Sequence, residues 1–127
     1  MSEAPKTLYA VIDTETTGGT PRFSRLTDIS IFITDGVQVL DEFSSLINPG
    51  IPIPPFITQL TGIDDEMVAG APRFEEIAKR IVEITENAVF VAHNVNFDYG
   101  MLLHEFTSLR YSYDRKKLCT VRLARKF

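Results

Sequence analysis

Hydrophobic and polar positions alternate most regularly over Leu26–Thr34, where Ile29, Ile31 and Ile33 interleave with Asp28, Ser30 and Phe32. That period of two predicts a strand with one buried face. Thr7–Ile12 is a nearly unbroken apolar run and reads as a strand buried on both faces. Asp35-Gly36 is a two-residue hairpin signal, and Val37–Ile47 follows as a third strand with Val37, Val39, Phe43 and Ile47 in phase. The three are expected to form an antiparallel meander. Pro49, Pro52, Pro54 and Pro55 make Asn48–Pro55 a loop, and Phe56–Leu60 a helical turn after it. Phe74, Ile77, Ile81 and Ile84 recur at helical spacing, so Pro72–Glu86 is predicted as an amphipathic helix. Ala88–Ala92 reads as a short buried strand, and Asn94 or Asn96 as the cap of a second helix reaching about Leu109. Lys117–Val121 is a final strand, with a helix from Arg122 onward. A meander followed by a helical crossover gives an α/β fold, a mixed sheet flanked by helices, in one domain without repeats.

Composition adds little to this. The 127 residues are 44% hydrophobic and 24% charged, ordinary for one globular domain. No apolar run is long enough to cross a bilayer, so no membrane partner is expected. A single cysteine, Cys119, excludes an internal disulfide, fits a reducing, cytoplasmic setting and reads as structural. Charge is more informative in its distribution than in its net value of −4. Residues 110–126 hold seven of the 13 Lys+Arg and one acid, which leaves 6 basic and 16 acidic residues elsewhere. A basic tail can contact phosphate, although a solvated helix face explains any one of these residues as well.

Two polar clusters turn the reading from fold to chemistry. Asp13 and Glu15 stand two apart in the run Val11 to Gly18, at the end of the first apolar stretch. Successive strand residues alternate in direction, so both carboxylates point to one face. Like charges so placed are costly unless something positive sits between them, and a divalent metal suits carboxylate oxygen. Thr16, Thr17, Gly18 and Gly19 then break the strand and bring backbone close to whatever binds. Two solvated acids at a strand end are the ordinary alternative on this segment alone. In the second cluster, Val91 to Asp98, the last residue falls in a helix's first turn, where the dipole favours an anion. If the preceding strand runs parallel to the first, Asp98 can approach Asp13 and Glu15. Three convergent carboxylates make a site of the two-metal phosphoryl-transfer kind.

Taken in order, Asp13-x-Glu15-Thr-Thr-Gly, Leu60-Thr-Gly-Ile63, Ala71-Pro72 and His93-Asn94-x-x-Phe97-Asp98 resemble the exonuclease domain of the bacterial DNA polymerase III epsilon subunit. That is the DnaQ-like, DEDD-type 3′–5′ exonuclease family, on an RNase H-like fold. The resemblance implies a metal-dependent enzyme that trims DNA from a single-stranded or frayed 3′ end and releases nucleoside 5′-monophosphates, with DNA polymerase subunits as partners. It implies two divalent ions, Mg²⁺ or Mn²⁺, held by Asp13, Glu15 and Asp98. Thr16 and Thr17 would hold the terminal nucleotide, Leu60, Thr61 and Ile63 would line the pocket for the last base, and His93 and Asn94 would flank the substrate. Phe97 reads as packing.

Two departures stand out. Asp28 occupies a position where the family usually has Glu. The family's third motif, a His and a further metal-binding Asp, belongs several dozen residues beyond Thr120–Ala124. The chain is therefore expected to be cut before its general base, fourth carboxylate and C-terminal helices, to be inactive or very weak as it stands, and to self-associate through exposed sheet. Within the chain, His104 points away from Asp98, and Glu105 lies about 10.5 Å along the helix from it, too far to share an ion. An RNA-trimming enzyme of the same fold, or a non-catalytic nucleic-acid or partner-binding module if Phe127 is the natural end, are the alternatives.

Overall fold

The computed structural model describes residues 6–119. The expected end of the last strand beyond Cys119 and the helix from Arg122 lie outside the described residues. Five strands form one sheet in the order β3-β2-β1-β4-β5, built from β1 (Leu8–Thr16), β2 (Leu26–Thr34), β3 (Val39–Leu46), β4 (Ala88–Ala92) and β5 (Lys117–Cys119). β1, β2 and β3 pair antiparallel, while β4 runs parallel to β1 and β5 parallel to β4. The sheet is thus mixed, as the meander and crossover require.

Two expectations about the meander change. The β2–β3 turn is longer than Asp35-Gly36 implies, since Thr34 pairs with Val39. Asp35 Oδ1 accepts from the backbone N–H of both Val37 and Gln38, at 2.9 and 3.0 Å, and this side-chain closure draws two more residues into the loop. β1, in turn, is not buried on both faces. Ala10, Ile12, Thr14 and Thr16 are buried, whereas Val11 is 39% exposed on the other face, opposite Phe32. Among the described residues the helices cover one face only: α3 (Phe74–Thr85) and α4 (Val95–Ser108) pack Ile77, Ile81, Met101, Leu102 and Phe106 against Ala10, Ile12, Ile29, Ile31 and Phe90.

α3 starts two residues later than the periodicity suggests. The Pro72 carbonyl is taken by the Asn48 N–H at 2.8 Å, and the Glu76 carboxylate accepts the Arg73 N–H at 2.7 Å, so the helix opens at Phe74. In the chain between β3 and α3, α1 (Pro55–Thr61) and α2 (Asp65–Ala69) enclose a satellite core of Ile53, Ile63 and Val68, against which Leu46 and Ile57 pack. Gly62 ends α1 with φ +78°. A Cβ there meets nothing within 4 Å, so only the backbone resists substitution. Gly62→Ala is expected to cost about 1–2 kcal/mol of stability in urea unfolding; an unchanged midpoint would show that the left-handed turn is not required.

Candidate active site

The carboxyl end of β1 carries the acids. Asp13 pairs with Ser30 and Glu15 with Asp28, and a bulge follows between Glu15 and Thr16. Asp13 and Glu15 emerge on the sheet face that the helices leave open, Asp13 exposed and Glu15 half-buried. The parallel pairing of Leu8–Val11 with Ala88–Val91 brings the start of α4 to this same end. Asp98 lies there, buried in the first turn of α4, and the Thr14 hydroxyl donates to its Oδ1 at 2.5 Å across 84 residues of sequence.

Electrostatics tie these groups together. Burial raises the Glu15 carboxyl above its ordinary value, and the charges of Asp13, Asp28 and Asp98 raise it further. Asp28 is raised by burial and then by Asp13. Burial raises Asp98 most, the Thr14 hydroxyl works against that, and Asp13 adds to the rise. Among the described residues, the charges that raise Glu15 are all carboxylates. Among the described residues no three His, Cys, Asp or Glu side chains already stand in metal-ligating geometry, and Asp98 is turned onto Thr14 instead. The donor set nevertheless fits a hard divalent ion, because it offers only carboxylate oxygens and its mutual repulsion is what such a cation would relieve.

A carboxylate with a raised pKa binds protons more tightly in the folded than in the unfolded chain. Its penalty is present at neutral pH and fades as pH falls through the raised value. Asp98→Asn keeps an acceptor for Thr14 but deletes the charge. In EDTA it is expected to melt above the parent at pH 7, with the gap closing as pH is lowered; a lower melting temperature at pH 7 would contradict the repulsion.

The other sequence-predicted residues fall into distinct settings. The Thr16 hydroxyl donates to the Gly18 carbonyl at 2.5 Å, and Thr17 Oγ1 accepts the Arg25 N–H at 3.0 Å, so both buried side chains close the β1–β2 loop. Leu60 is 78% exposed in the last turn of α1. Thr61 Oγ1 donates to the Ile57 carbonyl and accepts the Ile63 N–H, while Ile63 itself is buried in the satellite core. This unit meets the sheet through Leu46, which pairs with Asp28. His93 and Asn94 are exposed on the β4–α4 turn, and Phe97 packs on the main core.

Sequence reasoning missed one pair. Glu105 is fully buried and accepts from Arg25 Nε at 2.9 and 3.1 Å, from Arg25 Nη2 at 2.9 Å and from the Leu26 N–H at 3.2 Å. Rather than ligating, it clamps the β1–β2 loop to α4. A glutamate among Leu102, Leu103 and Phe106 was the available signal, since a buried acid needs a partner.

The sequence profile of the RNase T exonuclease family, described as exonuclease, matches residues 10–127. The protein named 3′-5′ exonuclease DinG from Bacillus subtilis (strain 168) is 38% identical over 122 residues, which cover 94% of this chain and 13% of that protein. The protein of the same name from Staphylococcus aureus (strain USA300) is 37% identical over 110 residues, 87% of this chain and 12% of its own length. The chain thus spans only a small part of the curated relatives it matches. Among solved structures, apo exonuclease I superposes with a TM-score of 0.84 at 18% identity, covering 95% of this chain and 30% of that one. The zinc-bound E. coli exonuclease I–ssDNA complex does so with a TM-score of 0.85 at 19% identity, covering 96% and 30%. At such identity the likeness shows the fold, which is RNase H-like.

Proposed function

The chain belongs to the RNase T exonuclease family, and from that premise we propose that it is a metal-dependent 3′–5′ exonuclease domain acting on the 3′ end of DNA and releasing nucleoside 5′-monophosphates. The observation that carries this reading is the meeting of Asp13, Glu15, Asp28 and Asp98 at one end of β1, where burial raises the last three most and the charge of Asp13 raises each of them further. Asp13, Glu15 and Asp98 are the residues proposed to hold Mg²⁺ or Mn²⁺. Bound there, such an ion supplies Lewis-acid polarisation of the phosphate and a water of lowered pKa.

The chain's own residues do the rest. Thr14 fixes the orientation of Asp98, and the closed Thr16–Arg25 loop brings backbone beside the acids. Leu60, exposed on α1, is the residue proposed to wedge against a terminal base, and His93 and Asn94, exposed on the β4–α4 turn, are proposed to flank the substrate. Proofreading beside DNA polymerase subunits, as in the epsilon-like reading, is the finer form of the proposal. The relatives named DinG, of which this chain matches 12–13%, favour instead a nuclease domain within a larger protein. The alternative, RNA trimming, would use the same site, because discrimination by the 2′-OH depends on pocket shape.

Recognition of an end is directly testable. With Mg²⁺ present, a linear oligo-dT with a free 3′-OH is expected to compete for the protein at least about tenfold better than a circular strand of the same length. Equal competition would contradict 3′-end recognition.

A further inference from the structure

The acidic site attracts metal but repels a phosphate backbone, so something nearby has to hold the strand. We infer that Phe23, backed by Arg22, is a nucleobase-stacking platform for single-stranded nucleic acid entering the site. The inference deepens the exonuclease reading and rests on it.

The loop from Thr17 to Arg25 leaves β1 two residues after Glu15 and returns to β2 three residues before Asp28. It is therefore at the acidic end of the sheet. It is also braced. The Thr17 N–H donates to the Arg25 carbonyl at 2.9 Å, the Arg25 N–H returns to Thr17 Oγ1 at 3.0 Å, and the Phe23 N–H donates to the Thr20 carbonyl at 3.0 Å. Ser24 is buried, and Arg25 is clamped by Glu105. A Cβ on Gly100 would touch Pro21 Cγ at 3.6 Å, which places the loop against α4.

On this braced loop the Phe23 ring is 75% exposed. Single exposed apolar residues are common and usually mean nothing. Three features separate this one. Ser24 beside it is buried and the Phe23 N–H is bonded to the Thr20 carbonyl, so the backbone that carries the ring is held. The Arg22 guanidinium carbon lies 5.3 Å from the ring centroid. Gly18–Arg25 also carries two arginines and no acid, in a chain whose acids exceed its bases. An aromatic face with a cation beside it is the element that binds single strands without regard to sequence, the ring stacking on a base and the arginine meeting phosphate. Leu60, exposed on α1, offers an apolar surface but no π face.

The chain contains no tryptophan, so Phe23→Trp installs a unique reporter at an exposed position. The test titrates this variant in Mg²⁺ with a phosphorothioate-ended dT15, following tryptophan emission and the anisotropy of a label on the strand. The expected result is rising anisotropy together with quenched emission, no quenching by an abasic strand of equal length, and dT15 affinity about tenfold weaker in Phe23→Ala. Rising anisotropy with unchanged emission, and Phe23→Ala binding like the parent, would overturn the stacking role and leave the exonuclease reading standing. No anisotropy change with any strand would overturn both.

Discussion

Arg25→Ala is expected to destabilise the fold by about 3–5 kcal/mol, the cost of leaving a buried charge without its partner. Glu105 is the deeply buried member of the pair, its side chain 2% exposed against 39% for Arg25. Removing the arginine strands the carboxylate among apolar neighbours, with the Leu26 N–H at 3.2 Å as its one remaining partner among the described residues. Removing the charge from the other side is milder. In Glu105→Gln the amide oxygen still accepts from Leu26, and the freed guanidinium can turn to water, so about 1–2 kcal/mol is expected. The order of the two variants is the test. A domain of this size holds only about 5–15 kcal/mol in total, so urea unfolding resolves the difference easily. A double replacement by apolar residues, Arg25→Met with Glu105→Leu, should recover much of the loss. If Glu105→Gln proved the more damaging, the clamp would not be a desolvated ion pair. Because the pair closes the loop that carries Thr16, Thr17 and Phe23, Arg25→Ala should also weaken single-strand binding in whatever fraction stays folded.

Asp13→Ala is expected to lower affinity for Mn²⁺ by at least about 100-fold, more than the loss of a supporting residue in a metal site. Asp13 is the one carboxylate whose charge acts on each of the other three, Glu15, Asp28 and Asp98. It is thus the common neighbour of the set, the position from which a cation could reach the most oxygens. It is also exposed on the open face of the sheet, so truncation creates no cavity. Loss of metal affinity should therefore come without loss of fold. In EDTA the variant should melt at or above the parent temperature, because three raised carboxyls lose a repelling neighbour. A drop in both metal affinity and melting temperature would mean that Asp13 is structural.

Much of this arrangement could be read from the residues, and the reasons are local. The bounds of β2 and β4 coincide with the predicted Leu26–Thr34 and Ala88–Ala92, because strict alternation and a short apolar run leave few other options. β1 runs on to Thr16 because pairing, not hydrophobicity, holds its last residues: Asp13, Thr14 and Glu15 stay in register with Ser30, Ile29 and Asp28. α2 has five residues and a single buried one, Val68, too little for any periodicity. Asp98 was legible as a partner of Asp13 and Glu15 because a β4 parallel to β1 leaves α4 at the right end. Asp28 was legible only as a departure from the Glu usual at its position; its place opposite Glu15 depends on the register of the hairpin. The Arg25–Glu105 clamp joins residues 80 apart, and nothing short of the packed helix brings them together.

The acids at the end of β1 are proposed to form a divalent-metal site, and direct Mn²⁺ binding tests this without relying on turnover. Titrated with Mn²⁺ and followed by electron paramagnetic resonance of the free ion, the parent chain should sequester the metal, and Asp13→Ala and Asp98→Asn should not, while all three remain folded. Equal sequestration by the parent and by folded Asp13→Ala would contradict it.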